Sequence, residues 1–221
     1  PDVPRVHGTW WQDAKSVGLM RGWYWLKDAR YKPSLEFDAL QRATGLDFGE
    51  LGMWVDVEKP VITMKDRDYN RLPYRGYKFV YDLMYRIQQS GASGFNERLP
   101  GVYTSPGAFK LILSPASSEA QMWFAQAPLW TAQYYWFYRE GISRPVMYGK
   151  WQKEIWWQYR ENPDHNIFNG TQAEFEAFHS FDYTPPTPTP PAQFPRLIVI
   201  TQAAVNGLRV RGGPGTTFPV V

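Results

Sequence analysis

The sequence contains no cysteine. Disulfides, thiol nucleophiles and cysteine-based zinc sites are therefore excluded. Histidine is scarce, with only His7, His165 and His179. A three-histidine metal site would need all of them together, which argues against zinc-type chemistry. No run of about 18 apolar residues occurs, so no segment reads as a membrane-spanning helix and no membrane insertion is expected. No cluster of Lys and Arg marks a nucleic-acid surface. The first residue is Pro, and no secretory signal is visible.

What is present is apolar and rich in aromatic rings. Hydrophobic residues make up 43% and charged residues 20% of the 221, which predicts a packed core rather than disorder. Aromatic residues reach 17%, with 11 Trp. Most such rings fill cores; the remainder are available for binding. The formal net charge is +3 and the pI is near 9.0. That mild basicity suits an anionic polymer such as a bacterial wall, and equally an ordinary solvated surface.

The clearest boundary is the Pro-rich stretch 184–195, whose composition favours a stiff polyproline spacer. It divides the chain into a large part, 1–183, and a tail, 196–221. In the large part, helical and strand-like segments alternate. Helices are expected near Trp10–Val17, from a Ser34 cap to Thr44 before Gly45, over Tyr77–Gln89, over Pro106–Leu113, and after a Thr171-x-x-Glu174 capping box. Strands are expected at Arg21–Leu26, Leu51–Val57, Gly101–Thr104, Leu129–Tyr135 and Ile155–Tyr159. This order predicts an α/β architecture with a mainly parallel sheet, preferably a TIM-like (β/α) barrel with its site at the strand C-termini. No dinucleotide fingerprint follows a strand, and Gly212-Gly-Pro-Gly215 lacks the Lys-Ser/Thr of a phosphate loop.

The informative run is Met53-Trp-Val-Asp-Val-Glu-Lys59. Residues two apart on a strand face the same way, so Asp56 and Glu58 share a side with Trp54, and Val55 and Val57 face a helix layer. Two carboxylates about 7 Å apart at the end of a buried strand have little structural reason to exist. Their repulsion should raise the pKa of one, as general acid catalysis of glycoside cleavage requires. The plainer reading is a pair of surface carboxylates at a strand end. A second constellation, Ile155-Trp-Trp-Gln-Tyr159 with Gln158, Asp164 and Asn166, offers rings and hydrogen-bonding groups of the kind sugars need. Its plainer reading is a polar turn leading into the last helix.

These residues resemble the lysozyme-type muramidases of glycoside hydrolase family 25. Gly22-Trp-Tyr-Trp25 resembles the family's Gly-x-Tyr-His strand, with Trp25 where His is common. Trp54-Val-Asp-Val-Glu58 resembles its Asp-x-Glu strand. Gly101-Val-Tyr-Thr-Ser105, Leu129-Trp-Thr-Ala-Gln-Tyr134, and Ile155-Trp-Trp-Gln-Tyr159 with Asp164-His-Asn166 resemble later motifs in the same order. The resemblance implies a modified eight-stranded barrel that hydrolyses the β-1,4 bond between N-acetylmuramic acid and N-acetylglucosamine in peptidoglycan. It implies Glu58 as proton donor, Asp56 as stabiliser and Asp164 as a further acidic residue. Tyr24, Tyr103, Tyr134 and Gln158 would line the sugar groove. No metal or organic cofactor is implied. Such an enzyme would work outside the cell or on its wall, as a secreted protein or phage lysin.

One departure is large. The family opens with a strand bearing another acidic residue, then a second strand; here residues 2–19 resemble the segment after both, and Asp2 lacks a strand around it. The expectation is an incomplete barrel lacking its first two strands, with an unpaired edge near Gly22–Leu26. The tail, through Leu208-Arg-Val-Arg-Gly-Gly-Pro-Gly-Thr216, resembles the start of a bacterial Src-homology-3-type domain, a wall-peptide binder; a plain hairpin is the alternative. Two other functions stay open. One is an inactive wall-binding barrel. The other is a chitinase-like glycosidase, disfavoured by Gly52 and Trp54 at the alternate positions before Asp56.

Overall fold

The structure is a computed structural model that describes residues 9–59, 64–91, 99–134, 143–161, 163–179 and 197–198. Strands β1 (Trp23–Leu26), β2 (Met53–Asp56), β3 (Gly101–Thr104), β4 (Leu129–Ala132), β5 (Trp156–Arg160) and β6 (His165–Phe168) follow one another across a single sheet. The first five run parallel, and β6 pairs antiparallel with β5. A two-residue strand, β7 (Leu197–Ile198), pairs antiparallel with β6. Helices α1 (Thr9–Ser16), α2 (Pro33–Thr44), α3 (Asp66–Tyr69), α4 (Tyr77–Gln89), α5 (Pro106–Ile112), α6 (Ser118–Phe124) and α7 (Gln172–His179) fill the connections and the end.

Among the described residues the barrel does not close. Among the described residues β1 pairs with β2 alone, so the edge expected near Gly22–Leu26 is present. The spacer 184–195 and all of the tail except Leu197–Ile198 lie outside the described residues.

Strand alternation separates two apolar clusters. On the outer face, Met53, Val55, Val57, Val102 and Leu129 pack with Leu83, Met84 and Ile87 of α4, Ile112 of α5 and Phe124 of α6. On the inner face, Trp54, Trp130, Trp156 and Phe168 pack with Ile155 and Phe178, and Tyr103 joins them. Helix α4 shows why it forms: Val80, Leu83, Met84 and Ile87 recur at helical spacing and are all buried. Each such side chain contributes roughly 1.5–3 kcal/mol on burial. Gly101 is required by the inner packing, because a Cβ there would sit 2.3 Å from Trp54 Cε3.

The capping box at α7 forms as expected: Glu174 N–H donates to Thr171 Oγ1 at 3.2 Å, and Thr171 N–H donates to Glu174 Oε2 at 2.6 Å. Gly45, with φ 59°, ends α2. Ser34 does not cap that helix. Lys32 holds the cap position without a side-chain bond, and Pro33 opens the first turn, where its missing N–H costs nothing. The segment around Asn166 is not a turn but strand β6. Helices α3 and α6, only 4 and 7 residues long, were too short for a periodicity signal.

Candidate active site

Asp56 is the last residue of β2, and its backbone carbonyl accepts from Lys27 N–H at 3.2 Å. Beyond it the chain stays tied to β3. Val57 N–H donates to the Tyr103 carbonyl at 2.8 Å, and Thr104 Oγ1 donates to the Val57 carbonyl at 2.9 Å. Glu58 is thereby held beside Asp56, while Val55 and Val57 are fully buried on the helix side. Asp56 is 8% exposed, and its buried Oδ1 has no hydrogen-bond partner among the described residues.

Two carboxyls in this setting resist ionisation. Burial lifts Asp56 well above the usual carboxylate range, the charge of Glu58 lifts it further, and Lys27 opposes. Burial also raises Glu58, again against Lys27. The two form one interacting pair, in which a proton is retained at pH values where ordinary carboxylates have lost theirs.

Gln158 on β5 organises the aromatic wall. Its Oε1 accepts from the Tyr103 hydroxyl at 2.6 Å and from the Tyr134 hydroxyl at 2.9 Å. Burial raises both phenols, Tyr134 to about 12, so both remain neutral donors. Trp130 Nε1 donates to Asn166 Oδ1 at 2.8 Å, which fixes that amide, and the buried Asn166 Nδ2 has no partner among the described residues.

Tyr24 lies opposite Trp54 across the β1–β2 ladder, so it shares the inner face with Asp56. It is 47% exposed. Its phenol is raised first by burial, then by the charges of Asp56 and Asp164. Asp164, just before β6, is itself raised by burial and by Glu161. Tyr134 senses Glu58 and Asp164 as well. The fold thus gathers Asp56, Glu58, Asp164, Tyr24, Tyr103, Tyr134 and Gln158 at the C-terminal end of the parallel strands. Only Tyr103, Gln158 and Tyr134 are directly bonded; the carboxylates communicate through charge.

Sequence reasoning passed over Lys27 and Trp130. Lys27 directly follows β1 and is fully buried. A lysine closing an aromatic strand carries no mark of burial in the sequence. Trp130 was read as part of a strand, without its bond to Asn166. Among the described residues no group of three His, Asp or Glu is placed to hold a metal ion. What the arrangement can supply is a retained proton beside a carboxylate, with rings and amides to seat a sugar.

No protein-family profile and no curated protein sequence matches this chain. Solved structures do. The muramidase from Trichobolus zukalii is 20% identical, with a TM-score of 0.51 over 77% of this chain and 78% of that one. The family GH25 lysozyme from Aspergillus fumigatus is 16% identical, with a TM-score of 0.55 over the same shares, 77% and 78%. At these identities the likeness is one of fold: this chain has the TIM-like α/β fold of those two proteins, with its barrel open.

Proposed function

We propose that this chain is a glycosidase of the muramidase type, cleaving the β-1,4 bond between N-acetylmuramic acid and N-acetylglucosamine in peptidoglycan. The observation that carries this reading is the carboxylate pair at the end of β2, Asp56 buried and Glu58 half-buried, beside the tyrosines held by Gln158. The shared fold of two enzymes described as a muramidase and a lysozyme supports it.

Glu58 is the less buried of the two carboxyls and is assigned as proton donor to the leaving oxygen. Asp56 lies deeper and supplies negative charge as the sugar ring becomes cationic, or orients the 2-acetamido group. At rest the deeper Asp56 holds the shared proton more firmly; the positive charge that develops on the sugar favours ionised Asp56 and shifts the proton to Glu58. Asp164 adds a further anion across the groove, and Tyr24, Tyr103, Tyr134 and Gln158 seat the glycan. The substrate places the working location outside the cell or at the wall. A Src-homology-3-type module beginning in 196–221 would add wall-peptide binding.

The test is incubation with purified peptidoglycan, borohydride reduction and mass spectrometry of the released fragments. New reducing ends on N-acetylmuramic acid are expected. New ends on N-acetylglucosamine would retain a glycosidase but overturn the assigned bond, as a chitinase-like reading demands. Wall binding without release would identify an inactive carbohydrate-binding barrel.

A further inference from the structure

Lys27 is the buried charge that the site description leaves unexplained. Its Nζ donates to the Glu58 carbonyl at 2.9 Å and to the Tyr69 hydroxyl at 3.3 Å, and lies 5.0 Å from the centre of the Tyr69 ring. The Tyr69 hydroxyl in turn accepts from Gly76 N–H at 3.0 Å. Taking an ammonium out of water is costly unless a counter-charge answers it. The hydrogen bonds of Lys27 go to a carbonyl and a phenol, so they do not supply one.

Four anionic groups act on Lys27: Asp56, Asp28, Glu36 and Glu58; Tyr69 is the remaining titratable neighbour. Asp28 is already engaged by Arg30, and Glu36 accepts from Trp25 Nε1 at 2.8 Å. Asp56, Glu58 and Glu36 form no ion pair among the described residues, so Lys27 acts on all three from beyond contact distance. Asp56 acts most strongly on Lys27, and Lys27 in turn answers the charge of Asp56, of Glu58, whose backbone it holds, and of Glu36.

We propose that Lys27 is a positioning residue of this site, tying the Glu58 backbone to α3 and supplying the positive charge that lets the Asp56–Glu58 pair hold one proton and one negative charge together. With the ammonium present, one protonated and one ionised carboxyl leave Lys27, Asp56 and Glu58 neutral as a group. Without it, neutrality requires both carboxyls protonated, and the ionised partner is lost. Burial brings Lys27 down to about 8, so it remains charged through neutral pH. This inference rests on the carboxylate pair being the working acid site.

The test is a carboxyl-carbon NMR titration of Asp56 and Glu58 in the whole chain, comparing Lys27→Met and Lys27→Arg with the parent sequence. Lys27→Met should raise both midpoints by about one pH unit or more, and Lys27→Arg should keep them near the parent values. Unmoved midpoints in a folded Lys27→Met chain overturn the proposal. Should that variant fail to fold, the Lys27 amine is titrated in Asp56→Asn, because the coupling is reciprocal. A lower lysine midpoint supports the proposal, and an unchanged one overturns it. These readings need no activity. Shifted midpoints in a chain that never cleaves peptidoglycan would count against the muramidase reading alone; cleavage with unmoved midpoints would count against Lys27 alone.

Discussion

Adding one methyl group at Gly101 probes whether the aromatic interior holds the carboxylates in place. A Cβ at this position would lie 2.3 Å from Cε3 and 2.6 Å from Cδ2 and Cζ3 of Trp54. Ordinary contact begins near 3.4 Å, so the ring must retreat by about 1 Å. It has little room: Nε1 donates to the Leu51 carbonyl at 2.9 Å, and the ring meets Trp130 edge-on at 5.7 Å and Phe178 at 6.5 Å. Overpacking of this kind costs about 1–3 kcal/mol, or a fall in Tm of roughly 2–12 °C for a domain of this size. Trp54 precedes Asp56 by two residues on the same face, so turnover of peptidoglycan should fall by about 100-fold as the pair is displaced. Calorimetry and wall-release rates for Gly101→Ala measure both. Pairing Gly101→Ala with Trp54→Phe should restore part of the loss, giving a coupling of about 0.5–3 kcal/mol in the double-mutant cycle. An unchanged Tm, or strictly additive single effects, would refute the packing argument.

Three other outcomes are expected. Glu58→Gln should lower peptidoglycan hydrolysis by about 100- to 10,000-fold while shifting stability by less than about 1 kcal/mol; undiminished release would remove Glu58 from the acid role. Glu154 is buried and its pKa is raised from 4.5 to about 7 by desolvation, so the folded chain binds that proton more tightly than the unfolded one. Its contribution to stability is complete below pH 4.5 and is lost as pH rises through about 7, a change of about 3 kcal/mol. Glu154→Gln should flatten that part of the urea-midpoint profile, and a profile identical to the parent's would disprove the assignment. Gln158→Leu should cost about 1–3 kcal/mol by depriving the Tyr103 hydroxyl of its acceptor, while the exposed Tyr134 turns to water, and should raise KM for wall fragments more than it lowers kcat. An unaffected KM would show that the two rings do not need their shared acceptor.

Local patterns in the chain determined a good deal of this molecule. Alternation through Met53-Trp-Val-Asp56 fixed which side chains face inward, because strand geometry admits only a period of two. Thr171 and Glu174 specified the start of α7 through reciprocal bonds spanning three residues, and Val80 to Ile87 specified the buried face of α4. Strand β6 was not legible in this way. It has four residues, His165 to Phe168, and only one is β-branched; it becomes a strand by pairing with β5.

The site divides along the same line. The identity of Asp56 and Glu58, their spacing of two residues and the inward face of Asp56 were set by residues next to them in the chain. Their resistance to ionisation, the burial of Lys27 against them, the two phenols meeting at Gln158 and the approach of Asp164 to Tyr24 were decided by tertiary structure alone. Desolvation and charge coupling depend on which distant segments remove water and which charges they bring, and no local pattern carries that information.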